Sequence, residues 1–234
     1  MLKLFNANNV VCINILTLNT FGKFVLQPIY TTYLSRSVMS TKDPLEKVVR
    51  YIFKEIDQST LSFFLSGVYE RSYKKNQIVI NTKNVHDEII FISKGLIKGY
   101  HTDDTGKEIN IRFNKEGEFV THYKSFLLQK PSEFEFKAIE ASEVLVFNFK
   151  HINDCYIQYP SLEKFGRLIA ENIVIKLDSR LNANQFYDAK TRYYDFMKDY
   201  NDLHNRLTLD DIASYLRMTR PSLSRIRGKK KNVT

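Results

Sequence analysis

The chain of 234 residues has no tryptophan, two cysteines, five prolines and eight glycines. Cys12 and Cys155 cannot build a disulfide framework and are too few for a four-cysteine zinc or iron–sulfur site. A reducing cytoplasm is the simplest setting for so little cysteine. No Walker loop, no G-x-G-x-x-G and no G-x-S-x-G occurs, which removes the common phosphate cradles and the nucleophile elbow. The five histidines, His86, His101, His122, His151 and His204, form neither an H-x-H pair nor an H-E-x-x-H. The ligand spacing that a metal enzyme of the cupin type needs is therefore missing, and no cofactor, haem included, is expected. The apolar stretch Val10 to Leu18 is broken by Asn14 and is too short to span a bilayer. Acids are missing from two regions. Residues 1–38 contain no Asp or Glu and only Lys3, Lys23 and Arg36 as bases. Residues 217–231 contain Arg217, Arg220, Arg225, Arg227, Lys229, Lys230 and Lys231, again with no acid.

What is present is a globular composition. Hydrophobic residues make up 43%, with 14 tyrosines and 17 phenylalanines to pack sheets. Thirty-five bases against 26 acids leave a net charge of +9, which favours an anionic partner without naming it. The length allows one large or two modest domains. No small-residue cleavage site follows the apolar stretch, so an export signal is poorly supported. Met39-Ser-Thr-Lys-Asp43-Pro44 offers a natural start with a helix entry. Residues 1–38 are read as an over-long gene start, with a genuine extension as the alternative.

From Asp43-Pro44 a helical pattern runs through Leu45, Val48, Val49, Ile52, Phe53 and Ile56, and a second short helix is expected over Ser59 to Leu65. Six short strands follow: 77–80, 88–92, 96–100, 108–113, 134–138 and 144–147. Turns fall at Lys94-Gly95, Asp103 to Gly106 and Lys115 to Gly117. This spacing suggests an antiparallel roll or barrel. After Pro160 a long helix reaches about Phe186, with Phe165, Ile169, Ile173, Leu177 and Leu181 four residues apart. That row either packs within the chain or pairs with a second copy, and pairing is the preferred reading. The expected class is α+β. A jelly-roll-like antiparallel β-roll occupies 39–160, a connecting and dimer helix 161–187, and a small helical domain 188–234, with 1–38 left as the extension.

The last helices carry the functional signal. Thr208 is placed to cap a helix whose first turn holds Asp210 and Asp211. Ile212, Ala213 and Leu216 form its inner face. Thr219 then caps a second helix with Pro221 in its first turn, Leu223 and Ile226 inward, and arginines and hydroxyls outward. Two short helices joined this tightly make a helix-turn-helix, whose second helix enters the DNA major groove. The DNA contacts expected are Thr219, Arg220, Ser222, Ser224, Arg225, Arg227, Lys229, Lys230 and Lys231. Arginine grips guanine O6 and N7, whereas Ser, Thr and Lys mostly hold phosphates.

Ala213-Ser214-Tyr215-Leu216, Thr219 and Leu223 to Arg227 resemble the signature of the Crp/Fnr superfamily of bacterial transcription regulators, closest to the branch common in Bacteroidetes. Residues 189–196 look like that branch's lead-in helix, and the resemblance spans roughly 44–231. It implies a cyclic-nucleotide-binding-like roll, a homodimer, and double-stranded DNA with a two-fold-symmetric site. It also implies RNA polymerase and a small-molecule effector as further partners. By this likeness Arg220 and Arg225 match the two base-reading arginines of the cyclic-AMP receptor proteins. Pro221 replaces the acidic reader between them, which puts a shared operator in doubt. Arg217 stands where the branch often has Gly in the turn, so a left-handed conformation is expected there at some cost.

In that family a cyclic-nucleotide pocket takes its contacts from a Gly-Glu-Leu-like turn and an Arg-Ser/Thr-Ala run. Here the corresponding positions fall on Thr121, His122 and Tyr123, and approximately on Ser132 and Glu133. No arginine occurs from 113 to 166. Lys124, Lys130 and Lys137 lack the arginine fork. Tight cyclic-AMP or cyclic-GMP binding is therefore not expected. Another effector would find Tyr100, Phe113, Tyr123, Phe126, Phe134 and Phe136, although the preferred reading makes most of these core. The alternative for the whole chain is a ligand-sensing or protein-interaction module of the same fold that has lost specific DNA binding.

Overall fold

The computed structural model describes residues 10–18, 24–32 and 42–230, with side chains for 42–228. Two antiparallel strands, β1 (Val10–Leu18) and β2 (Phe24–Thr32), pair from Val10 with Thr32 to Leu18 with Phe24. The sequence pattern assigns no element there.

Helix α1 (Asp43–Ile52) has Pro44 in its first turn and buries Leu45, Val48 and Val49. It stops four residues short of the Ile56 that the pattern predicts, because Phe53 leaves helical geometry at φ −116°, ψ 86°. Helix α2 (Gln58–Ser66) starts at Asp57, whose carboxylate accepts from the Thr60 amide at 2.8 Å.

Eight strands then form two four-stranded sheets of an antiparallel roll. One has the order β3 (Tyr69–Tyr73), β10 (Ser142–Asn148), β5 (Glu88–Lys94), β8 (Phe119–Val120). The other has the order β4 (Ile78–Ile80), β9 (Glu135–Ala138), β6 (Ile97–Thr102), β7 (Glu108–Asn114). The sequence pattern gives six of these strands. β3 and the two-residue β8 escape it, as do helices α3 (Tyr123–Leu128) and α4 (Phe149–Gln158). The three predicted turns are where the backbone turns left-handed, at Gly95, Gly106 and Gly117. Gly95 is obligatory: φ is 107°, and an added Cβ would sit 2.2 Å from Ser142 Oγ.

The chain divides into two compact units. The first runs to Lys98 and resumes at Phe113–Asn172; the second is Gly99–Arg112 with residues from Ile173 onward. These boundaries differ from those drawn at 160 and 187. They cut within the long helix α5 (Glu163–Phe186) and group the tip of the β6–β7 hairpin with the helices.

The core of the first unit includes Ile90, Ile92, Val120, Phe136, Val144 and Val146, all under 3% exposed. Alternate residues of β5 and β10 supply it, as strand geometry requires. A ring cluster lies beside it. Phe64 meets Phe147 at 5.2 Å and Phe165 at 5.1 Å, and Phe165 meets Phe119 edge-on at 5.3 Å.

In the second unit, α6 (Ala189–Asp199) is capped by Asp188, which accepts from the Thr191 amide at 2.7 Å. It buries Tyr193 and Phe196. Helices α7 (Leu209–Tyr215) and α8 (Arg220–Lys230) follow. Leu203, Leu207, Ile212, Ala213, Leu216 and Leu223 form the small core around them. Among the described residues no helix is long and apolar enough to cross a membrane.

Candidate nucleic-acid interface

Helix α7 begins with a reciprocal cap. Thr208 Oγ1 accepts from the Asp211 amide at 3.0 Å, and the Asp211 carboxylate turns back to the Thr208 amide. It ends in a Schellman motif: the Met218 amide donates to Ala213 O at 3.0 Å and the Arg217 amide to Ser214 O at 3.2 Å. Arg217 takes φ 50° at the position where glycine is usual, the left-handed conformation expected of it. Three residues later α8 starts. Thr219 Oγ1 accepts from the Ser222 amide at 3.3 Å, and Pro221 sits in the first turn without breaking a helical bond.

The facing sides close on each other. Ala213 is 4% exposed and Leu223 fully buried, so α8 rests on α7 through a small residue and one leucine; Ile226 is half-buried. The outer side of α8 presents Arg220, Ser224, Arg225 and Arg227, all exposed, with Thr219 exposed and Ser222 half-buried at its start. Lys229 and Lys230 lie in α8 with side chains outside the described residues, and Lys231 lies beyond them. Arg220 Nη1 is 3.1 Å from Asp210 Oδ2 across the two helices. Both partners are exposed, a setting in which such a pair contributes about 0–1 kcal/mol.

Three residues to which the sequence reading gave no supporting contact hold this pair of helices. Arg192 of α6 donates from Nε to Leu216 O at 3.0 Å, satisfying a carbonyl at the end of α7. Ser214 Oγ donates to Glu108 O at 3.1 Å and accepts from the Asn110 amide at 2.9 Å. Asn110 Nδ2 donates to Asp211 O and Oδ1, both at 3.1 Å. The sequence does hold Ser214 within its C-terminal signature, but nothing local shows that its partner lies about a hundred residues earlier.

The row predicted for dimerisation splits. Phe165 and Ile169 are buried, so they belong to the core of the first unit. Ile173 is half-buried, while Leu177 and Leu181 are 52% and 54% exposed. Val174, outside that row, is 63% exposed. The open apolar stripe is therefore Val174, Leu177 and Leu181, at coiled-coil spacing of three and four instead of every fourth residue.

In the roll, the positions that would face a nucleotide phosphate bond the protein itself. Thr121 Oγ1 donates to Glu88 O at 3.0 Å and Ser132 Oγ to Phe134 O at 2.6 Å. His122 stands edge-on to Phe134 at 5.3 Å. Glu133 is exposed and ion-paired with Lys124, so it imposes no buried-charge penalty. Of the aromatic effector candidates, Tyr100, Phe113, Phe126 and Phe136 are buried. Tyr123 and Phe134 are half-buried, and Phe134 packs against the core cluster.

Residues 70–159 match the family model described as the cyclic nucleotide-binding domain. The anaerobic regulatory protein of Pasteurella multocida (strain Pm70) is 26% identical over 189 residues, covering 75% of this chain. The match takes in 66% of that protein's own length. The fold is shared with FixK2 from Bradyrhizobium japonicum, at TM-score 0.62 and 15% identity over 69% of this chain and 83% of that one. It is shared equally with the c-di-GMP responsive global regulator CLP of Xanthomonas campestris, at TM-score 0.60 and 15% identity over 75% and 92%. Sheet order, long helix and matched segment thus agree: residues 70–159 match a cyclic nucleotide-binding domain, and the chain is similar in sequence to an anaerobic regulatory protein and in fold to regulators of the Crp/Fnr kind.

Proposed function

We propose that this protein is a homodimeric, sequence-specific DNA-binding transcription regulator. The observation that carries the reading is the outer face of α8, with Arg220, Arg225 and Arg227 exposed on a helix fixed at both of its approaches. Arg220 and Arg225 read base edges; Thr219, Ser222, Ser224, Arg227 and Lys229 to Lys231 hold phosphates. Two protomers pair through the open stripe of α5, so two recognition helices meet half-sites about one helical turn apart. The Arg220–Asp210 pair does not oppose this, because an exposed pair yields readily to a bidentate guanine contact worth about 1–3 kcal/mol.

The test is selection of bound fragments from genomic DNA by the purified protein, with Arg220→Ala/Arg225→Ala as control. A two-fold-symmetric motif that disappears in the control supports the reading. A folded wild-type protein that enriches no motif argues for an interaction module without specific DNA binding.

The roll of this regulator does not take cyclic AMP tightly. No arginine is available from 113 to 166, and the hydroxyls of Thr121 and Ser132 bond the backbone. In a calorimetric titration no binding is expected at micromolar cyclic AMP; a saturable micromolar isotherm refutes this.

A further inference from the structure

Arg180 sits on α5 between Leu177 and Leu181, yet its guanidinium is turned to other partners. It lies over the Tyr215 ring of α7, 4.5 Å from the centroid. It also donates to two carbonyls of the β6–β7 hairpin, Nη2 to Asn110 O at 2.9 Å and Nη1 to Ile111 O. The same hairpin also holds α7 through the Asn110 amide on Ser214 Oγ, Asn110 Nδ2 on Asp211, and Ser214 Oγ on Glu108 O. One planar cation therefore joins three elements: the helix with the open apolar stripe, the hairpin, and the first helix of the helix-turn-helix. Along the backbone α5 and α6 are linked by Tyr187 and Asp188, and Arg192 of α6 ties Tyr187 O of that link to Leu216 O at the end of α7. The Arg180 joint adds a direct hold of α5 itself on α7 and on the hairpin.

We propose that Arg180 is a positioning residue that sets the separation of the two half-sites the dimer accepts. This rests on the homodimeric DNA-binding reading above. The stripe of α5 defines the two-fold axis, and α8 is rigid on α7 through Ala213, Leu223 and the Schellman turn. The angle between α5 and α7 is thus the remaining variable between the axis and each recognition helix. An arginine fork is suited to hold it, since two carbonyls and a ring face constrain a plane as a lysine point charge does not.

The experiment measures binding of the full chain to DNA carrying the selected half-sites at varied spacing. The wild type should prefer one spacing by about tenfold over spacings one base pair shorter or longer. Arg180→Met keeps the bulk and removes the fork; its preference should fall to within about threefold while base preference within each half-site stays unchanged. Arg180→Lys should lie between. Asn110→Ser, which loosens the joint from the hairpin without touching α5, should relax the same ratio and serves if Arg180→Met does not fold. Affinity lost equally at every spacing, with the preference intact, overturns the proposal and leaves Arg180 a stabilising residue only. A wild type with no two-fold site at all refutes the regulator reading instead.

Discussion

His86 is a residue whose chemistry only burial explains. It is 7% exposed, its amide donates to Ser125 Oγ at 2.9 Å, and its Nε2 has no hydrogen-bond partner among the described residues. Burial pushes its imidazole down from 6.5 to about 4, against the weaker pull of Glu88 and Asp87. The folded chain therefore keeps it neutral while the unfolded chain titrates near its ordinary value. Above the unfolded value both states are neutral and this group contributes no pH dependence. As the pH falls from there toward 4, the unfolded state takes up a proton that the folded state refuses, and stability drops by up to about 3 kcal/mol. Denaturant unfolding at pH 7 and pH 4.5 should show a loss about 2–3 kcal/mol smaller in His86→Gln than in the wild type. Equal losses in both proteins would remove His86 as the cause. Arg217 is the contrasting residue, because its strain is local: a turn of four residues between two capped helices needs a left-handed residue, and the sequence places arginine there.

At the scale of elements, legibility follows the range of the interactions. The helix-turn-helix is readable because each of its determinants, Thr208 with Asp211, Thr219 with Ser222, and Arg217 in the turn, lies within a few residues. Six strands are readable from short runs of β-branched and aromatic residues between glycine turns. The two-residue β8 is too short to show a period, and β3 alternates badly, with Tyr73 its one buried residue. Helix α5 was legible as a helix but not as a seam. Its four-residue row drifts around the axis, so Phe165 and Ile169 end in one core while Leu177 and Leu181 stay open. Deciding that needs the position of the roll's Phe64 and Phe119, which no helical period contains. The pairings of Arg180, Asn110 and Ser214 are invisible for the same reason, with partners separated by about seventy to a hundred residues.

For the whole molecule, the stripe of α5 and the charge of α8 make one linked prediction. Val174, Leu177 and Leu181 each gain on the order of 1 kcal/mol when a second copy covers their exposed half. Lysine at 177 reverses that gain and sets two like charges face to face. Leu177→Lys should therefore sediment as a monomer with unchanged helix content, since the side chain is already half in water. Its DNA binding should change in a way that net charge cannot mimic. The chain carries +9 in the wild type, and the added lysine raises it, which on bulk electrostatics alone would strengthen binding. Counterion release depends instead on the phosphates actually held. With Arg227 and Lys229 to Lys231 on phosphates in each protomer, the slope of log K against log salt is about −7 for a dimer and about −3.5 for a monomer. Titrations over a range of salt concentrations should show that halving for Leu177→Lys, together with loss of preference for a two-fold site over a single half-site. A variant that stays dimeric and keeps the full slope would show that the stripe of α5 is not the seam.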